Sequence, residues 1–316
     1  MRDPRLEAIA AKHGVFLTRE AKELGYEDKT ITQAARSGLW HRVRHGAYVF
    51  PEVWHAADAV TRHRIRLRAV LRQTPGPVAA SHVSSLVERG VATYGIDLTR
   101  VHVTRLDRGA GRIARDVQHH EGLWLHDDVE VVNGLSLIKA PRAVVETLTM
   151  CGTEPGLVLT DSAYNKGIAT PLDVENTYDR MQFWPGMRSA QLVLRLADGR
   201  AESPGESRVR YICWEQGLPK PELQFEVYDE HGNLVGTTDF AWPNRQLLGE
   251  FDGKIKYGRL LKPGQDPGEV VFMEKQREDL LREITSWGMV RPVWDWLDDP
   301  RAVASRIGRA MRPRAA

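Results

Sequence analysis

Apolar positions in the first fifty residues follow two periods. From Pro4 to His13, Leu6, Ile9 and Ala10 recur at helical spacing, and Gly14 stops the run. Val15-Phe16-Leu17 is a short apolar bridge. Thr18 is placed to cap a second helix through Leu24, closed by Gly25. Asp28 or Thr30 opens a third, through Ile31 and Ala34 to Ser37, with Gly38 as its stop. The period then shortens to two: Leu39 to Arg44 and Ala47 to Phe50 flank His45-Gly46, which reads as a β-hairpin. Three short helices and a hairpin are the order of a winged helix-turn-helix, expected over residues 1–54.

Residues 55–200 mix the two periods and predict an α/β middle domain. Ala56 to Leu71 reads as one long helix in which arginines interleave with Ile65, Leu67 and Val70. Another helix starts at Ser81. Val101–Thr104 and Val129–Val132 read as strands, and Pro141–Thr149, Gly156–Lys166 and a segment from Thr170 as helices. In residues 201–300, Ser203-Pro204-Gly205-Glu206 is a helix start: serine cap, proline in the first turn, and a glutamate three residues after the serine. Val209, Ile212 and Cys213 form that helix's apolar face. Strands are expected at Leu223–Tyr228, Leu234–Ala241 and Leu247–Tyr257, then a helix from Val270 to Ser286 and an edge strand at Val290–Val293, where Pro292 is tolerated. Residues 301–316 form a basic tail. The fold class expected is a multi-domain α/β protein.

Composition narrows the class only slightly. The 316 residues carry 42% hydrophobic and 27% charged side chains, ordinary for a globular chain of two or three domains. No apolar run reaches the roughly 18 residues that span a bilayer. Met1-Arg2-Asp3-Pro4-Arg5 leads into an amphipathic stretch rather than an apolar signal core, so a cytoplasmic protein without membrane contact is expected. Cys151 and Cys213 stand apart, outside any Cys-x-x-Cys pair, and are expected as buried, reduced thiols. The net charge of +2 announces no nucleic-acid partner in bulk, but arginines cluster at Arg62, Arg64, Arg66, Arg68 and Arg72 and again in the tail.

Two groups of residues suggest chemistry. On the third helix, Lys29, Thr32, Gln33 and Arg36 are the polar and basic side chains suited to base edges and phosphates of double-stranded DNA; Arg42, Arg44 and His45 would lie on the wing. Farther on, strand alternation puts Glu250, Asp252, Lys254 and Lys256 on one face, with Asp239 on the neighbouring strand. Such a gathering of carboxylates suits a hard divalent cation, Mg²⁺ or Mn²⁺, held by Asp239, Glu250 and Asp252. Glu206 reads either as a helix cap or as a group reaching a metal or water. Arg277 reads as a phosphate contact or as solvated charge. His82, His119 and His120 have no nucleophile or carboxylate at a diagnostic spacing.

The run Gly14–Arg19, Arg36–Leu39 and Arg44–Val49 resembles the N-terminal domain of AbiEi-type antitoxins. That resemblance implies promoter binding, a transcriptional repressor in a toxin–antitoxin or phage-defence system, and a cognate toxin as partner. The C-terminal pattern of Glu206, Asp239 and Asp252-Gly253-Lys254 resembles the PD-(D/E)XK nucleases. Asp239-Phe240 with Glu250-Phe251-Asp252-Gly253 is closer to very-short-patch repair endonucleases. Under that second alignment Asp252 occupies the usual lysine position, and Lys254 or Lys256 would supply the lysine. This resemblance implies a restriction-endonuclease-like αβ domain over residues 201–300 and metal-dependent hydrolysis of DNA.

Overall fold

The computed structural model describes residues 3–107, 109–253 and 267–311, with the side chains of 126 and 267–275 excepted. The described residues form a mixed α/β structure with three sheets. The chain divides into two compact units, Met1–Leu159 with Gly167–Gln191, and Thr160–Lys166 with Leu192–Ala316. No described helix is long and apolar enough to cross a membrane.

The first unit begins with α1 (Pro4–His13), α2 (Thr18–Glu23) and α3 (Asp28–Arg36). The Asp3 side chain caps α1, and Gly14 closes it at a φ of 75°, a left-handed turn that glycine adopts without a Cβ penalty. Thr18 lies inside α2 rather than capping it. The cap is supplied from within the helix by Glu20, whose carboxylate accepts the Leu17 N–H at 2.8 Å. A small antiparallel sheet follows, in the order β1 (Phe16–Leu17), β3 (Ala47–Val49), β2 (His41–Arg44). Leu6, Phe16, Ala21, Ile31, Ala34, Trp40, Tyr48 and Phe50 share one core, with the Phe16 ring edge-on to Trp40 at 4.9 Å.

The single helix expected from Ala56 to Leu71 is two, α4 (Pro51–Ala56) and α5 (Ala59–Gln73). Asp58 breaks the run, its carboxylate capping α5 by accepting the Thr61 N–H at 2.8 Å. The second sheet has the order β6-β7-β5-β4-β9-β8, from β4 (Val78–Ala80), β5 (Val101–Arg105), β6 (Arg112–Ile113), β7 (Val117–His120), β8 (Val129–Val132) and β9 (Leu135–Ile138). It is mixed: β5 runs parallel to β7 and β4 to β9, while the other neighbours are antiparallel. Leu67 and Val70 of α5 pack with Ala80, Val101, Val103, Val117 and Leu137 of the sheet. Helices α6 (His82–Glu88) and α7 (Ala140–Leu148) are buried along their lengths. The chain passes from one unit to the other within α8 (Thr153–Asn165), back between Lys166 and Gly167, and again within α10 (Met187–Leu196), with α9 (Pro171–Met181) between these helices in sequence.

In the second unit α11 (Pro204–Glu215) starts as its sequence dictates: the Ser203 hydroxyl accepts the Glu206 N–H, and Pro204 sits in the first turn. The third sheet follows the order β10 (Glu222–Tyr228), β11 (Leu234–Trp242), β12 (Leu247–Gly249), β13 (Gly288–Val290). Its first three strands are antiparallel, and β13 joins β12 in parallel. Of the strand expected from Leu247 to Tyr257, the structure shows β12 at Leu247–Gly249, and residues 254–257 lie outside the described residues. After Gly249 the backbone N–H groups of Glu250 and Asp252 bond Val290 and Pro292, and a lone bridge joins Asp252 to Val293. Phe251 is buried in the core of this unit, edge-on to Trp294 at 5.3 Å. The edge strand is Gly288–Val290 rather than Val290–Val293. α12 (Pro267–Thr285) and α13 (Pro300–Ala310) complete the unit.

Candidate functional site

Helix α3 is anchored by its apolar side. Ile31 and Ala34 are buried, and Lys29, Thr32, Gln33 and Arg36 all stand exposed on the rest of the surface. Arg42 is exposed on β2, and His45 is exposed at the hairpin turn, where its carbonyl accepts from Gln73 at 2.8 Å. Arg44 is half-buried and faces Asp116 at 3.1 Å, so part of its field is neutralised within the protein.

The arginine-rich helix α5 is different in kind. Arg64 donates twice to the Val87 carbonyl, Arg68 pairs with the buried Glu88 at 2.6 Å, and Arg72 reaches both the Val15 carbonyl at 2.6 Å and Glu20. Arg62 and Arg66 each lie 5.3 Å over the Trp54 ring. These side chains hold elements together rather than forming an open basic stripe.

The carboxylates of the second unit are near one another in the fold but differently occupied. Glu206 is 5% exposed; its Oε1 accepts the Ser203 hydroxyl at 2.6 Å and its Oε2 the Glu202 N–H at 2.9 Å. Burial pushes its carboxyl up to about 7, helped by the negative charge of Asp239 and opposed by the Ser203 and Glu202 bonds. Asp239, on β11, accepts the Phe251 N–H at 2.7 Å. Glu250, 7% exposed, is held by Arg277 on one oxygen and by Arg291 at 2.8 Å on the other. Arg277 also donates to the Thr237 carbonyl at 3.0 Å, so it serves the fold where it stands. Asp252 is half-buried. Lys254 and Lys256 lie outside the described residues.

The donor set fits a hard cation poorly. Two guanidiniums already neutralise Glu250. Among the described residues Asp239, Glu250 and Asp252 do not form a group with ligand oxygens all within 4.8 Å of one another. A magnesium ion needs oxygen ligands at about 2 Å, so these groups as placed do not enclose one.

A group that does converge is one the sequence concealed. His82, His102 and His120 each bring a ring nitrogen to within 4.8 Å of the others. His82 opens α6 with a φ of 50°, an uncommon left-handed conformation for a residue with a Cβ. His102 is on β5 and His120 on β7, whose parallel register sets His102 beside Gln118 and Thr104 beside His120. His102 Nδ1 lies 2.9 Å from His120 Nε2, and the His82 and His120 rings stack at 3.8 Å. Burial, aided by their neighbours, brings His102 down to about 4 and His120 to about 3, and lowers His82 well below the usual range. His119, one residue from the cluster, alternates to the other face, where Arg112, Arg105 and Arg44 surround it. Cys151 lines a cavity of about 360 Å³ together with His82, His102, Asp97, Arg100 and Gln118. Burial raises the thiols of Cys151 and Cys213 to about 11 and about 12, so both are protonated at neutral pH.

No local motif links these three histidines; strand alternation alone, which puts His102 and His120 on one face of paired strands, carried a signal.

Two uncharacterized proteins of Mycobacterium tuberculosis, from strains CDC 1551 / Oshkosh and ATCC 25618 / H37Rv, are each 29% identical to the chain over 234 residues, covering 72% of it and 81% of themselves. Residues 4–51, the stretch bearing α1 to α3 and the hairpin, match AbiEi_4, described as a transcriptional regulator, AbiEi antitoxin.

Proposed function

We propose that the chain is an antitoxin-type transcriptional regulator that binds double-stranded DNA through its N-terminal module, used as a winged helix-turn-helix. One observation carries this reading. The segment similar to the AbiEi antitoxin regulators presents Lys29, Thr32, Gln33 and Arg36 outward from a helix whose apolar side is locked by Ile31 and Ala34. Short polar and basic side chains on a rigid helix suit the major groove, and Arg42 and His45 on the hairpin would contact the flanking backbone. Arg44 contributes less, because Asp116 faces it. A cognate toxin protein as partner follows from the same likeness.

The test is a mobility shift on DNA upstream of the protein's own reading frame, with random duplex as control. Arg36→Ala is expected to weaken specific binding by about 5- to 150-fold, as loss of a contact worth about 1–3 kcal/mol does. Binding no tighter than to random duplex, or equal binding by Arg36→Ala and Arg42→Ala, overturns the reading.

A second reading, metal-dependent hydrolysis of DNA by the second unit, is favoured by Glu206 and Asp239: the Glu206 carboxyl is raised to about 7, first by burial and further by the negative charge of Asp239. The guanidiniums on Glu250 weigh against it. Plasmid nicking with Mg²⁺ or Mn²⁺ that is lost in Asp239→Ala would support it; absent nicking, or equal nicking by both proteins, sinks it.

A further inference from the structure

We propose that His82, His102 and His120 form a binding site for a borderline divalent transition metal of the zinc type, with one coordination position open toward the adjoining cavity.

The argument begins with spacing. Two ligands on a tetrahedral ion with metal–nitrogen bonds of about 2.0–2.1 Å stand about 3.3 Å apart. His102 Nδ1 and His120 Nε2 are 2.9 Å apart, a few tenths of an ångström from that value, and all three nitrogens fall within 4.8 Å of one another. A small turn of either ring exchanges their mutual hydrogen bond for two bonds to a shared ion.

Protonation state agrees with this geometry. A metal binds neutral imidazole, and burial holds all three rings in that form. The second requirement is an orienting partner behind a ligand. His82 Nδ1 faces the Ser81 hydroxyl at 3.0 Å and the Glu146 carboxylate at 3.4 Å, which directs Nε2 to the ligand role. Glu146 is itself fixed: Arg142 donates to it at 2.7 Å and to the buried Asp128 at 2.8 Å. A buried carboxylate thus lies beside the ligands, its position set by a guanidinium that a second carboxylate neutralises. The other charged groups nearby are Asp97 and Arg100 on the cavity wall.

The donor set selects the ion. Three imidazoles without a carboxylate in the ligand shell disfavour Mg²⁺ and Ca²⁺ and suit Zn²⁺, Co²⁺, Ni²⁺ or Cu²⁺. Three protein ligands beside a cavity of about 360 Å³ match an open site rather than a closed structural one. The alternative is a trio of neutral imidazoles that merely satisfy one another.

The experiment uses the full chain, stripped with chelator and titrated with Co²⁺. The expected result is one equivalent bound, visible d–d absorption of four- or five-coordinate cobalt, and displacement by Zn²⁺. His120→Gln is expected to lower Co²⁺ affinity at least tenfold, while His119→Gln, on the other face of β7, leaves it unchanged. Because a buried substitution can disturb folding, the wild type is also read directly. Of its 11 histidines, Zn²⁺ should shift the imidazole nitrogen resonances of His82, His102 and His120. No binding of Co²⁺ or Zn²⁺, or resonance shifts confined to other histidines, overturns the proposal.

Discussion

Glu206 shows how one side chain serves a helix and burdens it. As the third residue of α11 it completes a reciprocal cap with Ser203, yet burial holds its carboxyl at about 7 against an ordinary value of 4.5. Between those pH values the folded chain keeps a proton that the unfolded chain has released. Stability therefore falls as pH rises through that window, by roughly 3 kcal/mol in all. Glu206→Gln keeps an acceptor and removes the titration, so its stability relative to wild type is expected to increase from pH 5 to pH 8; urea midpoints at the two pH values check this. The neighbouring Gly205 makes a steric demand. A Cβ there would be driven into the Phe251 ring, which is only 6% exposed. Gly205→Ala is expected to cost about 1–3 kcal/mol by overpacking, read as a lowered Tm.

At the scale of elements, local chemistry was legible and long-range pairing was not. Leu6, Ile31 and Ala34 could be placed in the core from spacing alone, and Ser203-Pro204 marked the start of α11, because caps and amphipathic faces are decided within a few residues. The split between α4 and α5 at Asp58 was hidden under a continuous helical period. β12 ends at Gly249, and Phe251 beyond it packs on Trp294, a core partner more than forty residues away that alternation cannot reveal. The histidine cluster was illegible for the same reason: parallel pairing of β5 with β7 and one left-handed residue assemble it. The two arginines on Glu250 come from α12 and the segment after β13, so the neutralisation of that carboxylate was illegible in the sequence. Helix α7 carries a related test. Arg142→Met would leave Glu146 and Asp128 buried without their shared cation, an expected loss of about 3–5 kcal/mol in denaturant unfolding.

At the scale of the molecule, a net charge of +2 bears on the proposed DNA binding. On the proposed reading the attraction comes from the few cations on α3 and the hairpin, and the arginines of α5, engaged inside the protein, add little to it. The logarithm of affinity should therefore fall with the logarithm of salt with a slope of about −3, far shallower than the −10 of a strongly basic binder, and Lys29→Ala should reduce the slope by about 1. Titration between 50 and 200 mM salt measures it. The same helix α5 also limits how the protein may be trimmed. Val15, Leu17, Ala47 and Val49 are sealed by Ile65 and Ala69, and Arg72 clasps Glu20 and the Val15 carbonyl. A recombinant fragment stopped at residue 54 would be born with an oily flank turned to water and its clasp missing. Whoever wants the N-terminal module in isolation must carry the cut beyond the helix that seals it.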